Sequence, residues 1–204
     1  MKKIGIMGGT FNPVHIGHLL LAQSAMEEYD LEEIWFIPTG HSYMKHIDNI
    51  VPARERLHMV SLALAGNEKL KCLDIEVERE GYTYSYETLE QLKVLYPEYH
   101  FYFIFGADCL FSIERWKYPE RIFANCSILA AVRGDSSRQE IRNKCMELER
   151  KYHADIQFLP FLQLEISSTD IRNRVKAGKS IRYMVPDDVR FYIEEKGYYK
   201  NEIK

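Results

Sequence analysis

No apolar run in this chain approaches the roughly 18 residues that a membrane-crossing helix needs, and its short apolar N-terminus has neither the length nor the cleavage site of a secretory leader. Cysteine is scarce: four residues in 204, at positions 72, 109, 126 and 145, with no Cys-x-x-Cys pair among them. That spacing carries no metal-site signal, and free thiols without a leader predict a reducing compartment, the cytoplasm. Charge of one sign is lacking too. With 27 basic and 30 acidic side chains the net charge is −3, which provides no field for holding long nucleic acid or an anionic membrane, although a local basic pocket remains compatible. There is no internal repeat and no low-complexity tract. What is present is 46% hydrophobic residues over 204 positions, enough for one sizeable core, so a single domain spanning the chain is expected.

Apolar patterning alternates in type along the chain. Strands are expected over Lys2–Met7, Glu33–Pro38, Leu70–Val77, His100–Phe105, Ser127–Val132 and Ile156–Leu159. Between them, helical spacing is expected from His18 to Tyr29, from Pro52 to Gly66 and from Ser85 to about Leu95, and two helices, Thr169–Ala177 and Asp187–Lys196, close the chain. Alternating strands and helices predict a Rossmann-like α/β domain with a doubly wound, mostly parallel sheet. In such sheets ligands bind beyond the carboxyl ends of the strands, so the positions that follow strands are the informative ones.

The stretch Gly8-Gly-Thr-Phe-Asn-Pro-Val-His-Ile-Gly-His18 follows the first strand. Gly8 and Gly9 would let a ligand approach the backbone, Thr10 adds a hydroxyl, and His15 and His18 open a helix, whose N-terminus favours anions. Two imidazoles there suit phosphate oxygens. Gly-Gly-Thr alone would be an ordinary turn. The stretch is neither a Walker loop nor a G-x-G-x-x-G fingerprint. A second anion site is offered by Ile166-Ser-Ser-Thr-Asp-Ile-Arg172, where Ser167, Ser168 and Thr169 begin a helix and Arg172 follows one turn in; taken alone, it also reads as a helix cap. Gly106 and Asp108 end the most apolar strand, where an acid can accept from ribose hydroxyls or cap the next helix.

Together, GGTFNPVHIGHL and ISSTDIR resemble the two signatures of the nucleotidyltransferase superfamily. EIWFIP, REGYTYSYETL, FIFGADCL, Trp116 and the ending VPDDVRFYIEEKGYY resemble, more narrowly, the bacterial nicotinate-nucleotide adenylyltransferases, over nearly the whole chain. The resemblance implies transfer of AMP from ATP to nicotinate mononucleotide, with Mg²⁺ riding on the triphosphate, no protein-bound metal and no covalent intermediate. It also assigns the residues. His15 and His18 act at the phosphates. Gly8, Gly9, Thr10, Phe11, Gly106, Asp108, Ser167, Ser168, Thr169 and Arg172 bind ATP. Lys45, Thr83, Tyr84, Ser85, Trp116 and Arg133 bind the mononucleotide, with Trp116 on the pyridine face.

The chain departs from the family pattern at two places. Position 12 is Asn where Asp is frequent, and the loop Thr39–His46 lacks the Pro-Pro-His-Lys segment of many relatives, leaving Lys45 either to grip the mononucleotide phosphate or to be an ordinary solvated lysine. Adenylyl transfer to phosphopantetheine, cytidylyl transfer to a phosphorylated alcohol and a non-catalytic nucleotide-binding regulator stay open as alternatives, as does homo-oligomerisation.

Overall fold

Strands buried on both faces read as unbroken apolar runs, and EIWFIP, HFYFIF and SILAAV are such runs. The computed structural model describes residues 1–42, 50–132, 138–160 and 164–200. Its elements are β1 (Lys2–Gly9), α1 (Ile16–Tyr29), β2 (Glu33–Pro38), β3 (His41–Ser42), α2 (Ala53–Leu64), β4 (Leu70–Cys72), β5 (Tyr82–Thr83), α3 (Ser85–Leu95), β6 (Tyr99–Gly106), α4 (Pro119–Asn125), β7 (Ser127–Val132), α5 (Arg138–Tyr152), β8 (Ile156–Pro160), α6 (Ser168–Lys176) and α7 (Asp187–Lys196).

Six strands form one parallel sheet in the order β4-β2-β1-β6-β7-β8. Counted within that sheet the order is 3-2-1-4-5-6, the doubly wound Rossmann arrangement, and its direction reverses between β1 and β6. One core layer joins the sheet to Leu89 and Leu92 of α3, Ile122 and Phe123 of α4, and Ile141, Cys145 and Leu148 of α5. The other joins it to Ala22, Ala25 and Met26 of α1, Met59, Val60 and Leu64 of α2, Ile171 of α6, and Val189 and Ile193 of α7. Both faces are thus covered, as an all-parallel sheet requires.

The register opens a gap at the reversal point. β1 pairs with β6 only as far as Ile6 opposite Phe103, whereas its pairing with β2 runs on to Gly9 opposite Pro38. The two central strands therefore part beyond Ile6, and a cavity forms there.

Two features differ from the sequence expectation. The strand expected over Leu70–Val77 ends at Cys72; the chain then turns, Glu78 N–H donating to the Asp74 carbonyl at 3.0 Å, and Glu76 is carried away from the sheet edge. A small second sheet, β3 with β5, pairs His41 with Tyr82 and Ser42 with Thr83, strands too short to give a periodic signal.

Candidate active site

At the end of β1, Gly8 and Gly9 are strand residues, and each has an aromatic ring where a side chain would go. A Cβ on Gly8 would lie 3.2 Å from the Phe103 ring and one on Gly9 3.2 Å from the Phe11 ring. Their smallness first serves packing, which the sequence reading missed. Phe11 is buried and packs edge-on against His18, with ring centroids 5.0 Å apart.

His15 is the residue before α1, and its backbone N–H donates to His18 Nδ1 at 3.2 Å. The His18 ring thus carries its proton on Nε2, which makes that nitrogen a donor. The two imidazoles stack with centroids 3.7 Å apart. This fold-back depends on Gly17, because a Cβ there would stand 3.0 Å from His15 Nδ1. Burial pushes the His15 imidazole down to about 4, so at neutral pH it is uncharged. His15 Nδ1 is buried and has no hydrogen-bond partner in the protein.

The second signature closes onto the first. Ser168 Oγ donates to the Pro13 carbonyl at 2.8 Å, and Arg172 Nη1 donates to the Asn12 carbonyl at 2.8 Å. Arg172 Nη2 donates to Thr169 Oγ1 at 3.2 Å, and the Ser167 hydroxyl accepts from the Asp170 N–H at 3.1 Å. The hydroxyls expected to face a ligand are therefore engaged within the protein, where they assemble the turn and aim Arg172. Two of the five guanidinium donors are used in these bonds.

Asn12 explains its own departure from Asp. Its Oδ1 accepts from the Tyr199 hydroxyl at 2.8 Å and from Val51 N–H at 3.3 Å. The side chain holds segments together through its carbonyl oxygen, while its buried Nδ2 has no partner in the protein.

Arg56, which the sequence reading did not single out, is only 2% exposed. It donates to the carbonyls of Thr10 (2.6 Å), Thr39 (2.6 Å), Gly40 (3.1 Å) and Val51 (2.9 Å). A buried guanidinium thereby braces the ends of β1 and β2 and the start of α2. The signal for it was position 56 sharing a helix face with Met59, Val60 and Leu64, all buried.

The cavity between the parted strands has a volume of about 370 Å³, and Gly8, Gly9, Thr10, Thr39, Glu76, Thr83, Ser85, Phe103, Phe105, Cys109 and Trp116 are among its lining residues. That falls within the range of small-ligand sites. Ser85 is the first residue of α3, and Tyr84, not Ser85, holds the cap position. Trp116 packs against Phe103 and Phe105 at centroid distances of 6.3 and 6.2 Å, and its buried Nε1 has no partner in the protein. Tyr84 stands outside the lining, with Lys117 Nζ 4.3 Å from its ring centroid. Asp108 is exposed on a 3₁₀ turn over Ala107–Phe111, next to Cys109 of the lining. Lys45 and Arg133 lie outside the described residues.

The cavity lining is not made of donors alone. Glu87 is absent from the lining and accepts from the Tyr86 hydroxyl at 2.7 Å, but a different acid, Glu76, lines the cavity and is buried. The sequence reading places Glu76 in the strand expected over Leu70–Val77 and does not single it out.

A second cluster of chemistry-bearing residues occurs at the opposite end of the sheet, where His100, Ser127 and Asp155 meet near the starts of β6, β7 and β8. Ser127 donates to Asp155 and so takes its bond to His100 Nε2, at 2.8 Å, as an acceptor. A serine nucleophile must instead donate to the histidine, so this cluster fastens strand ends.

Comparison with known proteins agrees with the geometry. The cytidylyltransferase-like family model matches residues 6–174. A probable nicotinate-nucleotide adenylyltransferase of Lachnoclostridium phytofermentans is 45% identical over 199 residues, covering 98% of this chain and all of the relative. One from Desulfitobacterium hafniense is 41% identical, covering 98% of this chain and 96% of its own. Among solved structures, the Plasmodium falciparum nicotinic acid mononucleotide adenylyltransferase complexed with NaAD has the same fold, with a TM-score of 0.79 at 21% identity and 98% coverage of both chains. Two signatures joined across the end of a doubly wound sheet, together with full-length relatives at this identity, place the chain: it belongs to the cytidylyltransferase-like family, among the nicotinate-nucleotide adenylyltransferases.

Proposed function

We propose that this chain transfers AMP from ATP to nicotinate mononucleotide, releasing pyrophosphate and forming deamido-NAD. The observation that carries the reading is the fastening of the second signature onto the first, Arg172 to Asn12 and Ser168 to Pro13, where the first signature also gives Gly8, Gly9 and Thr10 to the lining of a cavity of the right size for a nucleotide base. A phosphate oxygen of the mononucleotide attacks the α-phosphorus, the new P–O bond forms, and the bond to the β-phosphate oxygen breaks. The nucleophile is already an anion, so no general base is needed, which fits an amide at position 12. Catalysis is then positioning and charge stabilisation.

In this reading the end of β1 receives ATP, His18 Nε2–H donates to the phosphate oxygens that gain charge, and uncharged His15 holds His18 in place. Gly106 and Asp108 face the ATP ribose. Arg172 grips the leaving pyrophosphate, and Thr83, Ser85 and Trp116 receive the pyridine base. Mg²⁺ is proposed to arrive with the triphosphate and to offset its charge. Among the described residues there is no group of three or more His, Cys, Asp or Glu side chains that could hold a metal, and the donors gathered at the signatures suit anionic oxygens, so the phosphates would be the ion's ligands. No helix among the described residues is long and apolar enough to cross a membrane, and the proposed setting is the cytoplasm.

Incubation with ATP, Mg²⁺ and one acceptor at a time tests the reading. Pyrophosphate release is expected with nicotinate mononucleotide; release only with phosphopantetheine, or none despite ATP binding, would replace it with one of the alternatives. Nicotinate mononucleotide should be preferred over its amide form by at least about tenfold in kcat/KM, the unpartnered Trp116 Nε1–H and Ser85 being donors suited to a ring carboxylate. Trp116→Ala should raise KM for the mononucleotide and leave ATP binding nearly unchanged; a defect confined to ATP would move that ring to the other substrate. Arg172→Ala should weaken ATP more than the mononucleotide, since its fork matches phosphate oxygens. Calorimetric titration with each substrate checks this, and equal losses would contradict the assignment.

A further inference from the structure

Glu76 is a carboxylate that should not be cheap to keep. It is only 7% exposed and lines the cavity, and burying a charge costs free energy unless donors compensate. The compensation is partial. The Thr88 hydroxyl donates to Oε1 at 2.8 Å, and the Thr83 hydroxyl, which donates to the His41 carbonyl at 3.3 Å, and the Gly40 N–H are close enough to pull the carboxyl's pKa down. Arg79 contributes from one step further out, donating to Thr88 Oγ1 at 3.2 Å.

These partners lie on different parts of the chain. Gly40 follows β2, whereas Thr83 and Thr88 belong to β5 and α3. The same two regions meet in the β3–β5 pairing. They also touch backbone to backbone: a Cβ on Gly40 would lie 2.1 Å from the Glu76 carbonyl oxygen, an approach that only glycine permits. Thr39 and Ser85, on the two sides of this junction, both line the cavity. Burial pushes the Glu76 carboxyl upward despite its donors, so keeping an acid here works against stability and calls for another purpose.

We propose that Glu76 is a positioning residue for the pyridine mononucleotide, clamping the segment after β2 to the start of α3 so that the two walls of the base cavity keep a fixed spacing. The inference rests on the proposed adenylyl transfer. Glu76 touches neither phosphate signature, so its loss should act on one substrate. Loosening the walls removes binding shared by ground and transition states, which raises KM with little change in kcat.

The test is steady-state kinetics of wild type, Glu76→Gln and Thr88→Val with each substrate varied in turn. Glu76→Gln keeps one acceptor oxygen but turns an N–H₂ towards other donors. The expected result is a KM for nicotinate mononucleotide raised about tenfold, with KM for ATP and kcat each within about threefold of wild type. Thr88→Val should move the same constant in the same direction, by less, and it carries the test if Glu76→Gln does not fold. Equal rises in both KM values, or no rise in either, would overturn the clamp while leaving the function standing. A wild type that makes no pyrophosphate with nicotinate mononucleotide would instead overturn the function, and the clamp with it.

Discussion

Replacing His18 with alanine is expected to lower kcat by about 10²–10³, equivalent to about 2.7–4 kcal/mol, the scale of losing one donor to a developing oxyanion. The expectation follows from the local geometry. Its Nδ1 is occupied by the His15 backbone N–H, so the proton resides on Nε2, the nitrogen proposed to meet the phosphates. Phe11 stands edge-on to the ring on one side and His15 stacks on it, which fixes its orientation before substrate arrives. A preset donor costs no reorganisation when charge develops. KM for ATP should change far less than kcat, because the interaction strengthens in the transition state. Single-turnover measurement of the chemical step checks the claim. Near-normal turnover in His18→Ala would remove His18 from the chemistry, and trapping an adenylylated histidine would replace direct transfer with a covalent route.

The largest effect on stability is expected at Arg56. Arg56→Met should destabilise by about 3–5 kcal/mol, the range for removing one partner from a buried charged network. For a chain of this length that corresponds to a melting temperature lower by roughly 6–20 °C. The methionine fills much of the volume but leaves the carbonyls of Thr10, Thr39, Gly40 and Val51 without their donor, and unpaired buried carbonyls are costly. Arg56→Lys should recover less than half of the loss, since an ammonium is a compact point charge and cannot span four acceptors as a planar fork does. ATP binding should fall as well, because Arg56 holds the Thr10 carbonyl directly after β1, the strand end proposed to receive ATP. Calorimetry of the three proteins decides it; an Arg56→Met protein within about 1 kcal/mol of wild type would mean that water replaces the guanidinium at little cost.

Much of this was legible before any coordinates. The apolar runs of β1, β2, β6 and β7 announced a parallel sheet, and the two phosphate signatures could be read because glycine, histidine and hydroxyl residues fall directly after strands. The parts that could not be read share a physical cause. Glu76 and Arg56 are charged residues whose burial depends on where distant segments pass, and neither composition nor local period records that. The strand after Leu70 was overextended because alternating residues describe a strand and an irregular edge equally well. Ser167, Ser168 and Thr169 are expected to meet ligand because they open a helix; that Ser168 also fastens to the Pro13 carbonyl, 155 positions away, is recorded in no local pattern.

The same long reach bears on when the enzyme becomes active during synthesis. Arg172 and Tyr199 fasten Asn12 across separations of 160 and 187 residues. On a ribosome, β1, β2 and β6 can pair long before either partner has emerged, since domains gain structure from the N-terminus onward. The nascent chain would hold a sheet and an open cavity but no gripped triphosphate end. Competence for phosphoryl chemistry would thus arrive late and abruptly, with the last helix, and an unfinished chain would not consume ATP.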